Sequence, residues 1–273
     1  MIILVSSVGS TRNFHFHPFL CYHPDMAQAQ SEVLEIFLTS GGKAGRVSCP
    51  HSMRPAAGQY MLASCLRNVG TAVNSTASLE PLPVPLFPSL PACLEQQQAE
   101  LTVAPPLPDN WSVGTSLLLR GPLGRGFHLP STAQRVALVA WGTCHSRLLP
   151  LAYKALACGA SVSLCLSNSQ GDLPVSPLPV EVEILPLAGL PDLLSWAEYM
   201  AVDLPREAIA ALRRSLRLES GQHPGFLLEV LVETPMPCGG TAECGVCAVK
   251  TQRGWKLACK DGPVFDLMQL EEF

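Results

Sequence analysis

From Glu32 to Gly126 the apolar positions fall in short runs separated by turn-forming residues. Val33–Thr39, Arg46–Cys49, Gln59–Ser64, Val84–Phe87, Leu101–Val103 and Ser116–Arg120 read as strands, and Gly, Pro, Asn and Asp clusters such as Ser40-Gly41-Gly42 and Asp109-Asn110 read as turns. Six short strands with frequent turns predict a small barrel. The proline-dense stretch Pro81–Pro91 fits only an edge or an extended segment, because proline donates no ladder hydrogen bond.

After Arg135 the period changes. Val136–Ala140 is a continuous apolar run of the buried-strand type, and Ser146–Cys158 places Leu148, Ala152 and Leu156 on one helical stripe with Gly159 as its stop. Ser161–Leu166 and Glu181–Leu187 read as strands, Leu190–Glu198 as a short helix and Tyr199–Val202 as a further strand. A second helix is predicted to open at Pro205, with Ile209, Leu212 and Leu216 on one face. Phe226–Val232 is one more strand. Alternation of strand and helix predicts a parallel α/β sheet. The expected division is a poorly structured lead-in over 1–30, a barrel over 31–126, an α/β domain over 127–233 and a small C-terminal unit over 234–273. Patterning begins just after Met26, a candidate biological start.

Composition narrows the function classes. Of 273 residues 15% are charged and the net charge is −4, which gives no electrostatic basis for nucleic-acid binding. No run of eighteen apolar residues suggests a membrane span, and the N-terminus lacks the basic leader and cleavage site of a secretion signal. A cytoplasmic protein is expected. Cys21, Cys49, Cys65, Cys93, Cys144, Cys158 and Cys165 are scattered among apolar residues and read as small buried hydrophobes. His15, His17, Cys21 and His23 lack the spacing of a metal site. Cys144 and His145 lack the third group of a nucleophilic triad and read as a helix start.

The remaining four cysteines, Cys238, Cys244, Cys247 and Cys259, stand in PMPCGGTAECGVCAVKTQRGWKLACKDGPVF with the spacing C-x5-C-x2-C-x11-C. Three thiols in one glycine-rich loop and a lone fourth downstream point to a [2Fe–2S] cluster, and so to electron transfer. Gly239, Gly240 and Gly245 let the backbone adopt positive φ and bring N–H groups toward sulfur. Structural zinc, which usually joins two separate short knuckles, is the competing reading. Trp255 is expected to cover the cluster, and Lys256 to face a partner.

Three stretches carry a family resemblance: Gly58–Ala63 (GQYMLA), Arg120–Phe127 (RGPLGRGF) and the tail ETPMPCGGTAECGVCAV with ACKDGPVF. With the domain order, they resemble the electron-transfer subunit of class B dihydroorotate dehydrogenase, in the ferredoxin-reductase superfamily. The resemblance implies a six-stranded antiparallel barrel that binds FAD, a parallel-sheet domain that receives NADH, and a small [2Fe–2S] domain that passes electrons to FMN in a catalytic partner subunit. It covers about residues 31–265. The four cysteines match the family's ligands except for one extra residue in the first gap.

The nucleotide signatures depart from the family. PLPVPLFPS replaces its Arg-x-x-Ser flavin motif, and SLPACLEQQQAE the segment that follows. Trp141, Thr143, Cys144 and His145 stand in the Gly-Gly-x-Gly turn with only Gly142 kept, and VDLPREA replaces the late cysteine stretch. FAD binding is therefore open, with Gly121, Gly124 and Gly126 as candidates for either a flavin site or a tight interdomain turn. A flavin-free iron–sulfur relay or docking protein on a degenerate reductase scaffold is the alternative. Either way a protein redox partner is expected, met by an apolar surface around Cys244–Cys247.

Overall fold

The computed structural model describes residues 27–39, 41–66, 82–90, 99–142, 144–167, 178–218 and 224–271. Most of the lead-in, with His15, His17, Cys21, His23 and Met26, lies outside the described residues, as do Cys93 and most of the Ser89–Glu100 segment.

Period-two alternation builds the first half. Strands β1 (Gln28–Thr39), β2 (Gly42–Ser48), β3 (Tyr60–Cys65), β4 (Val84–Leu86), β5 (Glu100–Val103) and β6 (Ser116–Leu123) form an antiparallel sheet in the order β4-β3-β6-β1-β2-β5. Its two edges meet where Pro88 bridges Val103, and the Ser89 and Ala104 N–H groups reach the Thr102 and Phe87 carbonyls at 2.9 Å. That contact closes the barrel. Val33, Val47, Met61, Ala63, Leu101, Leu117 and Leu119 fill the interior. Alternate residues of β3, Tyr60 and Leu62, point outward and join a second, larger core. The first strand starts earlier than its apolar pattern suggests, because Gln28–Glu32 pair with Ser116–Arg120 through backbone bonds that polar residues make equally well.

That larger core belongs to a sheet of order β14-β11-β10-β7-β8-β9. Strands β7 (Arg135–Ala140), β8 (Ser161–Leu166), β9 (Val182–Pro186), β10 (Tyr199–Pro205) and β11 (Leu227–Glu233) are parallel, covered by helices α1 (Leu149–Ala157), α2 (Leu190–Trp196) and α3 (Ile209–Ser215). Pro205 does not open a helix. It pairs with Glu233 as the last residue of β10, and a 3₁₀ turn over Arg206–Ala208 intervenes before α3. The tail forms the hairpin β12 (Ala248–Thr251) and β13 (Gly254–Leu257), the short α4 (Ala258–Asp261) and β14 (Val264–Asp266). β14 pairs antiparallel with β11, so the end of the expected C-terminal unit is built into the α/β sheet.

Candidate metal centre

Strand β11 delivers the chain into a hook over residues 236–247. Gly239, Gly240, Ala242 and Gly245 all have φ between 64° and 77°, and the left-handed residues turn successive N–H groups toward the inside of the hook. The hook lies flush on the barrel. A Cβ on Gly239 would sit 2.7 Å from Pro83 Cγ, and one on Gly240 would sit 3.0 Å from Leu62 Cδ1. Glycine is required there by close approach as well as by backbone conformation.

The hook and the hairpin bring the four predicted thiols together as two pairs. Burial resists ionisation of Cys238, but hydrogen bonds from the Thr241 side chain, the Cys244 thiol and the Cys244 and Glu243 N–H groups prevail and hold its pKa down at about 6. The β12–β13 hairpin folds the chain back, and the Ala258 N–H donates to the Cys247 carbonyl at 3.0 Å. Cys259 thus lies beside Cys247. Burial, the hydrogen bond with Cys247 and the nearby Cys247 and Cys238 thiolates push it up to about 12, against the Ala242 N–H. The N–H groups that reach sulfur therefore belong to Ala242, Glu243 and Cys244, and the glycines shape the turn that aims them.

Among the described residues no three His, Cys, Asp or Glu side chains converge to hold a single metal ion. The thiols come two and two, Cys238 with Cys244 and Cys247 with Cys259, the division that two irons sharing four thiolates need. Cys247 and Cys259 are buried while Cys244 is exposed, so one edge of the centre faces solvent. Val246, two residues along from Cys244, is 44% exposed, and Trp255 on the following hairpin is 62% exposed. Trp255 pairs with exposed Lys250 across the hairpin and faces outward; it does not cover the thiols. Lys256 lies 3.9 Å from Asp261.

The barrel supplies the floor. The Tyr60 hydroxyl donates to the Cys259 carbonyl at 2.9 Å, and burial followed by the charges of Cys259, Cys247 and Cys238 raises its pKa. Its ring lies 5.6 Å from that of Phe87.

Gly121 lies within β6 and Gly124 and Gly126 in the turn that follows it, and protein atoms occupy the space around all three. A Cβ on Gly124 would meet the Gly262 carbonyl oxygen at 2.7 Å and Tyr60 Cε1 at 2.9 Å. The turn is anchored by Glu229, a fully buried carboxylate that accepts from the His128 N–H at 2.6 Å and the Tyr199 hydroxyl at 2.7 Å, with Arg125 at 3.7 Å. These contacts pin the segment that carries Gly124 and Gly126 against the α/β domain.

The crevice at the carboxyl ends of the parallel strands, where open α/β sheets take ligands, is a cavity of about 270 Å³. Gly142, Cys144, Arg147, Asp203 and Glu233 line it. Arg147 is committed already: its Nε donates to Asp203 at 2.7 Å, its Nη2 to Glu233 at 2.8 Å, and its guanidinium lies 5.5 Å from the Phe87 ring centroid. Burial disfavours its charge, but the two carboxylates raise its pKa. One guanidinium shared by two carboxylates is a poor seat for a diphosphate. On the barrel side the described part of PLPVPLFPS, with β4, carries no cationic side chain. Burial raises the pKa of the Cys144 thiol, against a hydrogen bond with Ser146, and lowers that of His145 to about 4.

Sequence reading missed Tyr60, Arg147, Asp203 and Glu229. Asp203 in YMAVDLP and Glu229 in LLEVLV are lone acids inside apolar strands, a signal of a buried partner. Nothing in the sequence marks Tyr60, whose contact spans 199 positions.

Comparison with known proteins agrees with this geometry. Residues 233–271 match the iron–sulfur cluster binding domain of dihydroorotate dehydrogenase B. The electron transfer subunit of dihydroorotate dehydrogenase B (NAD(+)) from Clostridium perfringens is 26% identical over 191 residues, 58% of this chain and 68% of that protein. Among solved structures, an NADH-dependent reduced ferredoxin–NADP oxidoreductase superposes with a TM-score of 0.64 at 17% identity, over 89% of this chain and 90% of that one. The ferredoxin reductase of carbazole 1,9a-dioxygenase, in its FAD apo form, follows at 0.53 and 14%, over 76% and 67%. The chain has the ferredoxin-reductase fold, and it resembles the dihydroorotate dehydrogenase B electron-transfer subunit in its cysteine-bearing tail and over much of its length. No helix among the described residues is long and apolar enough to cross a membrane.

Proposed function

We propose that this chain is an electron-transfer subunit that carries a [2Fe–2S] cluster on Cys238, Cys244, Cys247 and Cys259 and exchanges electrons with a dihydroorotate dehydrogenase-type catalytic subunit. The observation that carries the reading is the two-and-two arrangement of thiols within a hook of inward N–H groups. When bound, the cluster accepts and returns one electron at a time. Cys238 and Cys244 would hold one iron, and Cys247 and Cys259 the other.

The chain's own residues do the rest. Ala242, Glu243 and Cys244 aim N–H groups at the sulfurs and stabilise their negative charge. Tyr60 fixes the Cys259 backbone, and the buried side of the hook excludes water. Val246, two residues from the exposed Cys244, and Trp255 on the hairpin are the exposed apolar side chains proposed to meet the partner. Among the described residues, the crevice and strand β4 offer no uncommitted cation for the phosphates of FAD or NADH.

The test is reoxidation. The anaerobically purified, dithionite-reduced chain is mixed with a flavin-loaded dihydroorotate dehydrogenase B catalytic subunit, and the visible bands of the cluster are followed by stopped flow. Reoxidation coupled to flavin reduction supports the reading; a cluster that stays reduced beside an oxidised flavin overturns the partner assignment.

A further inference from the structure

Arg120 lies on the outward face of β6, directly opposite Leu62 in the β3–β6 ladder. Leu117 and Leu119 point into the barrel, so alternation sends Arg120 toward the tail. There its Nη2 is 3.7 Å from the position of a Cβ on Gly239, the residue after Cys238. Its Nε is shielded from solvent and has no hydrogen-bond partner, and no carboxylate among the described residues pairs with its guanidinium. Other arginines in this part of the fold are matched: Arg46 by Glu35 and Glu100, Arg147 by Asp203 and Glu233.

Arg120 is partly buried with its Nε shielded from solvent, and a partly desolvated guanidinium that no carboxylate among the described residues offsets is stabilised when negative charge arrives nearby. A cluster held by four thiolates is such a charge, and it becomes more negative on reduction. We propose that Arg120 is the counter-charge of the cluster loop, a positioning residue that approaches the Gly239 backbone and raises the reduction potential of the centre. The proposal rests on the four-cysteine reading above. The glycine next to Cys238 is itself required by Pro83, which a side chain there would meet at 2.7 Å.

The experiment compares the full chain with Arg120→Gln and Arg120→Lys, all purified anaerobically. Iron and sulfide are quantified first, and the midpoint potential is then measured by titration of the visible and electron paramagnetic resonance signals. Arg120→Gln is expected to keep its iron and titrate at a more negative potential, while Arg120→Lys stays close to the wild type. Loss of iron from Arg120→Gln but not from Arg120→Lys also supports a role for the charge. An unchanged potential in a fully loaded Arg120→Gln protein overturns the proposal. So does equal loss of iron in both variants, which marks a packing role, or an unchanged potential with weakened binding of added FAD, which assigns the charge to a phosphate. A wild-type chain free of iron and sulfide sinks the four-cysteine reading itself, a result distinct from any difference between variants.

Discussion

The Tyr60 hydroxyl donates a 2.9 Å hydrogen bond to the carbonyl oxygen of Cys259, tying a barrel strand to the last cysteine of the tail. Both partners are buried, so removing the donor strands a carbonyl without water. Tyr60→Phe keeps the ring and its contact with Phe87 and is expected to cost about 1–2 kcal/mol. Denaturant melts measure that loss, and the visible bands of the Tyr60→Phe protein should bleach faster in air than those of the wild type. Equal bleaching and equal stability would show that the bond does not hold the site.

Arg147 joins Asp203 and Glu233 at the mouth of the α/β sheet. Asp203 is 1% exposed at its side chain, so Arg147→Met leaves a buried carboxylate unmatched and should destabilise the protein by roughly 3–5 kcal/mol. Glu233 is half exposed, and Glu233→Gln should cost about 1 kcal/mol or less. Chemical denaturation of the two variants gives this ordering directly; equal losses would contradict it.

Burial lowers His145 from its ordinary value near 6.5 to about 4. The unfolded chain takes up a proton below pH 6.5 that the folded chain refuses until about pH 4. Stability is therefore whole above that window and falls as the pH drops through it, by roughly 2 kcal/mol at pH 5. Replacing His145 with Asn should shrink the difference between melts at pH 7 and pH 5 relative to the wild type. An identical pH dependence in the two proteins would rule His145 out as its source.

How much of this was legible in sequence follows from the range of each interaction. The strands Val136–Ala140 and Tyr60–Ala63 were readable because burial on both faces writes itself into a continuous apolar run. The four thiols were readable because a glycine-rich hook is a local structure. Pro205 misled because proline suits a helix start, yet the β10–β11 ladder extends through it to Glu233. The floor of the site was illegible for a different reason: Tyr60 and Arg120 acquire their roles only when the tail folds back onto the barrel.

Val246, near Cys244, and Trp255 on the hairpin are exposed apolar side chains in the tail. If the partner docks there, Trp255→Asp should weaken the complex by about 2 kcal/mol, roughly 30-fold in Kd, as expected for an aromatic anchor. The visible spectrum of the isolated chain should stay unchanged. Calorimetric titration against the catalytic subunit reads the effect, and undiminished binding would place the interface elsewhere.

The central claim concerns what Cys238, Cys244, Cys247 and Cys259 hold, and it is tested most directly by quantifying iron, acid-labile sulfide and zinc in the anaerobically purified chain. Two irons and two sulfides per chain, lost together when Cys247 or Cys259 is replaced by serine, is the predicted result. One zinc ion with no sulfide, or a metal content indifferent to those replacements, would contradict it.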